Sequence, residues 1–301
     1  MTVSASLHTN RYPAPSAMLE LIKPVTWFPP MWAYACGAVA SGVAINEHLG
    51  LLIVGMILAG PVVCGMSQAA NDWCDRHVDA INEPNRPIPS GRIPGKWGLW
   101  IALAMSVLSL GLGALLGLWG FIATVIGVIA AWAYSVEPIR LKRSGWLGPG
   151  LVGLSYESLP WFTGAAVLSQ TMPSGPIVLV AVLYGIGAHG IMTLNDFKAL
   201  EGDAQMGVNS LPVTLGPERA ARVACIVMIV PQIFVLLALA HWGQPTHAAL
   251  ILALVLGQIW AMSVLLRDPK AKAPWYNATG VLMYVSGMMV SAFALRSIEV
   301  F

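Results

Sequence analysis

Along this chain the apolar runs come in lengths that a lipid bilayer sets, and charged residues mark their ends. Lys23 to Glu47 and Glu47 to Asp72 each leave room for one span, because roughly 20 apolar residues in α-helix cross the hydrocarbon core. Lys96 to Glu137 holds two spans. Arg143 to Asp196, interrupted only by Glu157, holds two more, Arg222 to Arg267 another two, and Lys272 to Arg296 one. The pattern predicts an all-α, polytopic membrane protein of nine transmembrane helices. So many spans in one chain leave little room for a separate soluble domain, so residues 1–301 read as a single integral-membrane domain with a polar N-terminal segment over 1–20.

Lysine and arginine concentrate in loops on the cytoplasmic side of a membrane. With the N-terminus inside, every Lys and Arg except Arg296 falls in an inner segment, and the connections near Glu47, Trp119, Ser174 and Gln244 carry none. A net charge of +2 spread over inner loops gives no reason to expect nucleic acid. Residues 1–20 lack a signal peptide's apolar core, so the first span is expected to direct insertion. Cys36, Cys64, Cys74 and Cys225 show no paired spacing and predict neither disulfide nor zinc. Two inner loops are long: one from Asp75 to Lys96, whose prolines exclude helix, and one from Asp196 to Pro217. Both are expected to cap the cytoplasmic face.

Only 10% of the residues are charged, yet every aspartate except Asp268 lies in one of two short stretches, 71–79 and 195–203. Asp72, Asp75 and Asp79 recur at i, i+3 and i+7, which on a continuing helix is one face; Asp196 and Asp203 repeat the i, i+7 interval. Carboxylates brought together at a bilayer boundary repel one another unless a cation sits between them. Mg²⁺ suits such a set, since it takes hard oxygens and is commonly shared between carboxylates and a phosphate or diphosphate. The bland alternative, that these acids only solvate helix ends, does not call for a one-faced repeat, still less for two.

A third inner stretch, 134–143, brings Arg140 and Lys142 to the same side, where they could clamp phosphate oxygens or simply anchor the loop; Arg86 and Lys198 carry the same two readings. Glu157 lies inside the fifth span, and an intramembrane acid is costly enough to suggest function: it orients an acceptor or is a paired structural residue. His189 in the sixth span is a packing residue or a contact to a magnesium tetrapyrrole. Of the Trp residues, Trp73 and Trp161 are placed to line a cavity.

The strings 71–91 and 201–213, together with Tyr134-Ser135, Pro138, Arg140-Leu141-Lys142 and the second acidic repeat, resemble the UbiA-type intramembrane prenyltransferase superfamily. Within it they look most like the chlorophyll and bacteriochlorophyll synthase branch. The resemblance implies nine helices around a central cavity with cytoplasmic cap loops. It implies Mg²⁺ held by Asn71, Asp72, Asp75, Asp79, Asp196 and Asp203, with Asp75, Asp79, Asp196, Asp203, Arg140 and Lys142 as the catalytic set. Asn71, Arg86, Lys198, Tyr134, Glu157, Trp161 and His189 are the substrate-binding candidates. The reaction implied is transfer from geranylgeranyl or phytyl diphosphate to the propionate of a bacteriochlorophyllide, in a bacterial cytoplasmic (inner) membrane, with pigment-assembly proteins as further partners. Chlorophyllide or an aromatic quinone precursor as acceptor, and a non-catalytic pigment carrier, are the competing readings. One departure is Ala199, where many relatives have aspartate; Glu201 would stand in for it only if the helix ended before Gly202.

Overall fold

A computed structural model of the chain describes residues 12–205 and 207–299. After a short helix α1 (Pro15–Leu21) come α2 (Phe28–Ala40), α3 (Leu49–Asn82), α4 (Trp97–Leu115) and α5 (Gly117–Ser135). A broken helix α6 (147–169) leads to α7 (Gly175–Asn195), the short α8 (Leu200–Gln205) and α9 (Leu211–Leu215), and then α10 (Pro217–His241), α11 (Pro245–Leu265) and α12 (Pro269–Glu299). Of the N-terminal segment expected over 1–20, residues 1–11 lie outside the described residues; Ala17 and Leu21 of α1 are buried.

Among the described residues, seven helices are long and apolar enough to cross a membrane, so this is a multi-pass membrane protein. Helices α2 and α6 stand where the other two of the nine expected spans belong. Helix α2 has 13 residues, about 20 Å at 1.5 Å per residue, which is short of a bilayer core. Helix α6 relaxes into a π-helical turn at Leu154–Ser158, around Tyr156 and Glu157. Helix α3 carries a π-helical stretch too, at Leu58–Cys64, where Pro61 lacks the N–H that regular α-helix would use.

The helices close on themselves: α3, α4, α5, α6, α7, α10, α11 and α12 pack in succession, α2 lies against α6, and α12 returns to α2. Trp32 Nε1 donates to the Val285 carbonyl at 2.9 Å across that last seam. Small residues set the closest crossing. An added Cβ on Gly37 would lie 1.9 Å from the Trp161 carbonyl oxygen, and one on Gly164 would lie 2.1 Å from that of Tyr34. Backbone meets backbone there, as glycine permits between membrane helices. Arg296, the one base assigned to the outer side, donates to the Val43 carbonyl at 3.0 Å. Large apolar side chains such as Val107, Ile129, Phe234, Leu256 and Trp260 remain on the outer surface, which is where lipid solvates them.

Candidate active site

A cavity of about 720 Å³ opens among α2, α3, α5, α6, α7 and α12. Its polar rim holds Asn71, Tyr134, Asn195 and Asn277; its depth is mostly Ala, Val, Leu, Ile and Gly. Val25, Phe28 and Leu282 line it and are also exposed on the outer surface, so the cavity is open sideways as well. A long apolar chain fits such walls and a polar head fits the rim.

Helix α3 runs unbroken to Asn82, so Asp72, Asp75 and Asp79 do project from one face beyond that rim. Each is held by bases from other segments. Lys23 Nζ donates to Asp72 Oδ1 at 2.7 Å, with Arg86 Nη1 3.7 Å from the same oxygen. Arg86 Nη1 donates to Asp79 Oδ2 at 2.9 Å and Nη2 to Glu83 at 3.1 Å. Arg140 Nη2 donates to Asp75 Oδ1 at 3.0 Å while Lys142 takes Oδ2. Arg140 and Arg143 both reach Glu137, at 2.9 and 2.7 Å. Arg140 and Lys142, expected to clamp phosphate oxygens or to anchor the loop, thus both face Asp75. Burial pulls the Lys142 ammonium below the ordinary lysine range, with Asp75 opposing, whereas the carboxylates around Arg86 hold that guanidinium above its usual value.

Two of these bases take strained backbones. Lys23 has φ 45° and Arg140 φ 33°, left-handed conformations that cost a residue with a Cβ about 1–2 kcal/mol. Strain of this kind persists where the surroundings over-determine it, and it gathers at working sites. The cap is tied down too, since Arg92 of the 83–96 loop makes a two-pronged contact with Glu20 of α1 at 2.5 and 2.9 Å.

The second acidic stretch departs from a single helix. Helix α7 ends at Asn195, Asp196–Ala199 forms a 3-10 turn, and α8 restarts at Leu200. The i, i+7 interval from Asp196 to Asp203 thus crosses a tighter turn. Asn71 and Asn195, which open the two acidic stretches, nevertheless line the same cavity beside Tyr134. Glu201 does not replace the missing acid. Its helix runs on to Gln205, and its exposed carboxylate pairs with Lys270 at 3.3 Å. Lys198 is exposed and acts on Asp196. The strand-like bridge between Ser144 and Asn209 fastens the Arg140 segment to the loop after Asp203.

Several expected residues lie elsewhere. Trp161 is fully buried and stacks on Tyr184 with ring centres 5.7 Å apart, packed between helices rather than lining the cavity. His189 also stays off the cavity wall, buried beside Trp146 with centroids 5.3 Å apart. Trp73 is taken by Arg76, whose guanidinium lies 4.1 Å from its ring centroid. Glu157 does line the cavity. Conversely, Lys23 reaches Asp72 and Gln68 and Asn277 line the cavity, as does Asn195 at the head of the second acidic stretch, although the sequence marks none of the four as a site residue. An Asn or Gln within an otherwise apolar run was the available signal for the last three. Lys23 gave none, because its contact with Asp72 joins segments 49 residues apart.

Among the described residues no three acidic, histidine or cysteine side chains are already gathered around one metal-sized point. The donor set nonetheless fits a hard cation. Asp72 is 1% exposed and its Oδ2 has no hydrogen-bond partner, an expensive arrangement unless something positive completes it. Lys23→Met should therefore lower stability by about 1–3 kcal/mol, below the ~3–5 kcal/mol of a fully buried pair because Arg86 stands by. Thermal melts of the purified protein in detergent, run with Asp72→Asn and the double variant, measure the coupling; additive losses would mean that the pair contributes nothing.

A model of the UbiA prenyltransferase family matches residues 26–287. The chain is 68% identical over 300 residues to the bacteriochlorophyll synthase 33 kDa chain of Cereibacter sphaeroides, covering 100% of this chain and 99% of that one. It is 39% identical to the chloroplastic chlorophyll synthase of Oryza sativa, covering 92% of this chain and 76% of that one. Among solved structures, a UbiA homolog from Archaeoglobus fulgidus bound to GPP and Mg²⁺ superposes with a TM-score of 0.67 at 20% identity, over 91% of this chain and 99% of that one.

Proposed function

This chain belongs to the UbiA prenyltransferase family, and we propose that it is a bacteriochlorophyll synthase acting on a prenyl diphosphate and a bacteriochlorophyllide. The observation that supports the reading is that Asn71 and Asn195, which open the two acidic stretches, both line one largely apolar cavity. The much higher identity to a bacteriochlorophyll synthase than to a chlorophyll synthase favours the bacteriochlorin acceptor. We place the chain in a bacterial inner membrane with the rim and cap loops on the cytoplasmic side, as its Lys and Arg distribution favours.

In this reading Asn71, Asp72, Asp75 and Asp79 on α3, with Asp196 and Asp203 after α7, would hold Mg²⁺. Bound there, the metal supplies positive charge to a departing diphosphate. Arg140, Lys142 and Arg86 turn from their aspartates toward phosphate oxygens, a fork or point charge for each. The apolar walls take the isoprenoid chain and exclude water, which would otherwise capture the allylic carbon as the free alcohol. The acceptor carboxylate attacks that carbon. An O–C ester bond forms, the C–O bond to diphosphate breaks, and the diphosphate leaves with the electron pair. A carboxylate is already ionised at neutral pH, so the protein's task is orientation and no strong base is required.

The test is a purified enzyme in lipid with geranylgeranyl or phytyl diphosphate and, in parallel, bacteriochlorophyllide a, chlorophyllide a and 4-hydroxybenzoate. Esterified bacteriochlorophyll is expected, lost on chelation and restored by Mg²⁺. An enzyme that prenylates only the aromatic acid would keep the metal site and overturn the acceptor.

A further inference from the structure

The depth of the cavity holds one carboxyl group and, among the described residues, no lysine or arginine lines it. That group is Glu157, 5% exposed, and its buried Oε2 has no hydrogen-bond partner. It projects from the π-helical turn Leu154–Ser158. Turns of this kind are rare, and they recur at functional sites because the extra residue re-aims a side chain. Helix α3 answers with its own π-helical stretch across the cavity, and Tyr156 joins the two. The Tyr156 hydroxyl accepts from Cys64 Sγ at 3.3 Å and Gln68 Nε2 at 3.2 Å. Tyr156 is thereby satisfied, and the neighbouring Glu157 is left facing the cavity.

Charged groups do not explain it. No salt bridge reaches Glu157 among the described residues, and no lysine or arginine lines the cavity it faces. A carboxyl group in such surroundings is accommodated as the neutral acid, which carries one O–H donor. An isoprenoid chain offers that donor nothing. A wall built only for hydrocarbon would leave a polar group unpaired at a cost of about 1–3 kcal/mol. Gln68 and Cys64 of α3 precede Asn71 at the rim by three and seven residues, up to about 10 Å of helix. Glu157 therefore lies well below the place where the acceptor carboxylate reacts. A macrocycle whose propionate reaches the rim extends into that depth, and the carbonyl substituents it carries away from the propionate are the acceptors it can offer there.

Resting on the acceptor reading above, we propose that Glu157 positions the tetrapyrrole by donating a hydrogen bond to a carbonyl substituent of the macrocycle away from the reacting propionate. It is a positioning residue that recognises the acceptor and takes no part in bond making. Glu157→Gln keeps a donor, whereas Glu157→Leu keeps only bulk. The Leu variant should raise the KM for bacteriochlorophyllide about tenfold, the weight of one hydrogen bond, and leave the KM for prenyl diphosphate unchanged; the Gln variant should stay within about threefold of the parent.

Vibrational spectra of pigment bound without prenyl diphosphate give a readout that a merely structural role would not move. A ring carbonyl stretch lowered by hydrogen bonding is expected in the parent and in Glu157→Gln, and a return to the free frequency in Glu157→Leu. The inference is overturned by an unshifted carbonyl in the parent, by a Leu variant with unaltered acceptor KM, or by a Gln variant as impaired as Leu. Failure of the parent to bind bacteriochlorophyllide at all would instead remove the proposed function.

Discussion

Replacing Asp75 by alanine should cut turnover about 10²–10³-fold, as loss of a central electrostatic group in a water-poor site does, while helical content stays near that of the parent and the stability lost by leaving Lys142 without Asp75 stays within about 1–3 kcal/mol. Asp75 is the carboxylate that both Arg140 and Lys142 reach, so its loss removes a proposed metal ligand and the group that organises two phosphate-binding bases. The fold should tolerate it. Arg140 keeps Glu137 at 2.9 Å, and the site lies at the end of α3 rather than within the packed interior. The measurement is single-turnover esterification beside circular dichroism of the same preparation. A metal-dependent Asp75→Ala enzyme with near-parental rates would overturn the site assignment.

The second large effect is on folding. Gly164→Leu should yield little or no folded protein, because its first side-chain atom would meet the Tyr34 carbonyl at 2.1 Å and the neighbouring α2 nitrogen of Ala38 at 3.0 Å. Ordinary overpacking costs about 1–3 kcal/mol because flexible side chains give way. Backbone on both sides of the α2–α6 crossing leaves nothing to give, and Gly37 opposes Trp161 in the same manner. Gly175→Ala, whose added carbon would meet nothing within 4 Å, is the control and should be neutral. Monodisperse recovery after detergent extraction separates the cases. A stable, correctly folded Gly164→Leu protein would mean that the two helices are not held at this distance.

The membrane character and the one-faced aspartates of α3 were legible because each is local: run length, residue type and a 3.6-residue period. Helix α6 was harder to read, since nothing in Tyr156-Glu157-Ser158 distinguishes a π-helical turn from a regular one before its packing partners are in place. The 3-10 turn at Asp196–Ala199 altered the second motif for the same reason. The sequence brings Arg140 and Lys142 to the same side as the first acidic stretch, but their pairing with Asp75 depends on contacts more than 60 residues apart. Trp161 was misjudged because its position beside Glu157 and Pro160 suggested a cavity wall, whereas the close approach at Gly37 draws it into the seam between helices.

The pairing at the rim has a consequence for how substrate is taken up and given back. Asp72, Asp75, Asp79, Glu83 and Glu137 are matched in number by Lys23, Arg86, Arg140, Lys142 and Arg143. The α3 side of the resting site therefore works as an internal salt, near electroneutrality, whereas Asp196 and Asp203 stand outside this count with Lys198 acting on the first of them. On the proposed reading, arrival of a metal diphosphate would be a double exchange, acids to the cation and bases to the anion, and its free energy would be the difference between two sets of ion pairs. Tight binding is not the natural outcome of such a swap. Once diphosphate has been severed from its chain, the same side chains can reclaim one another, and the site is cleared from within.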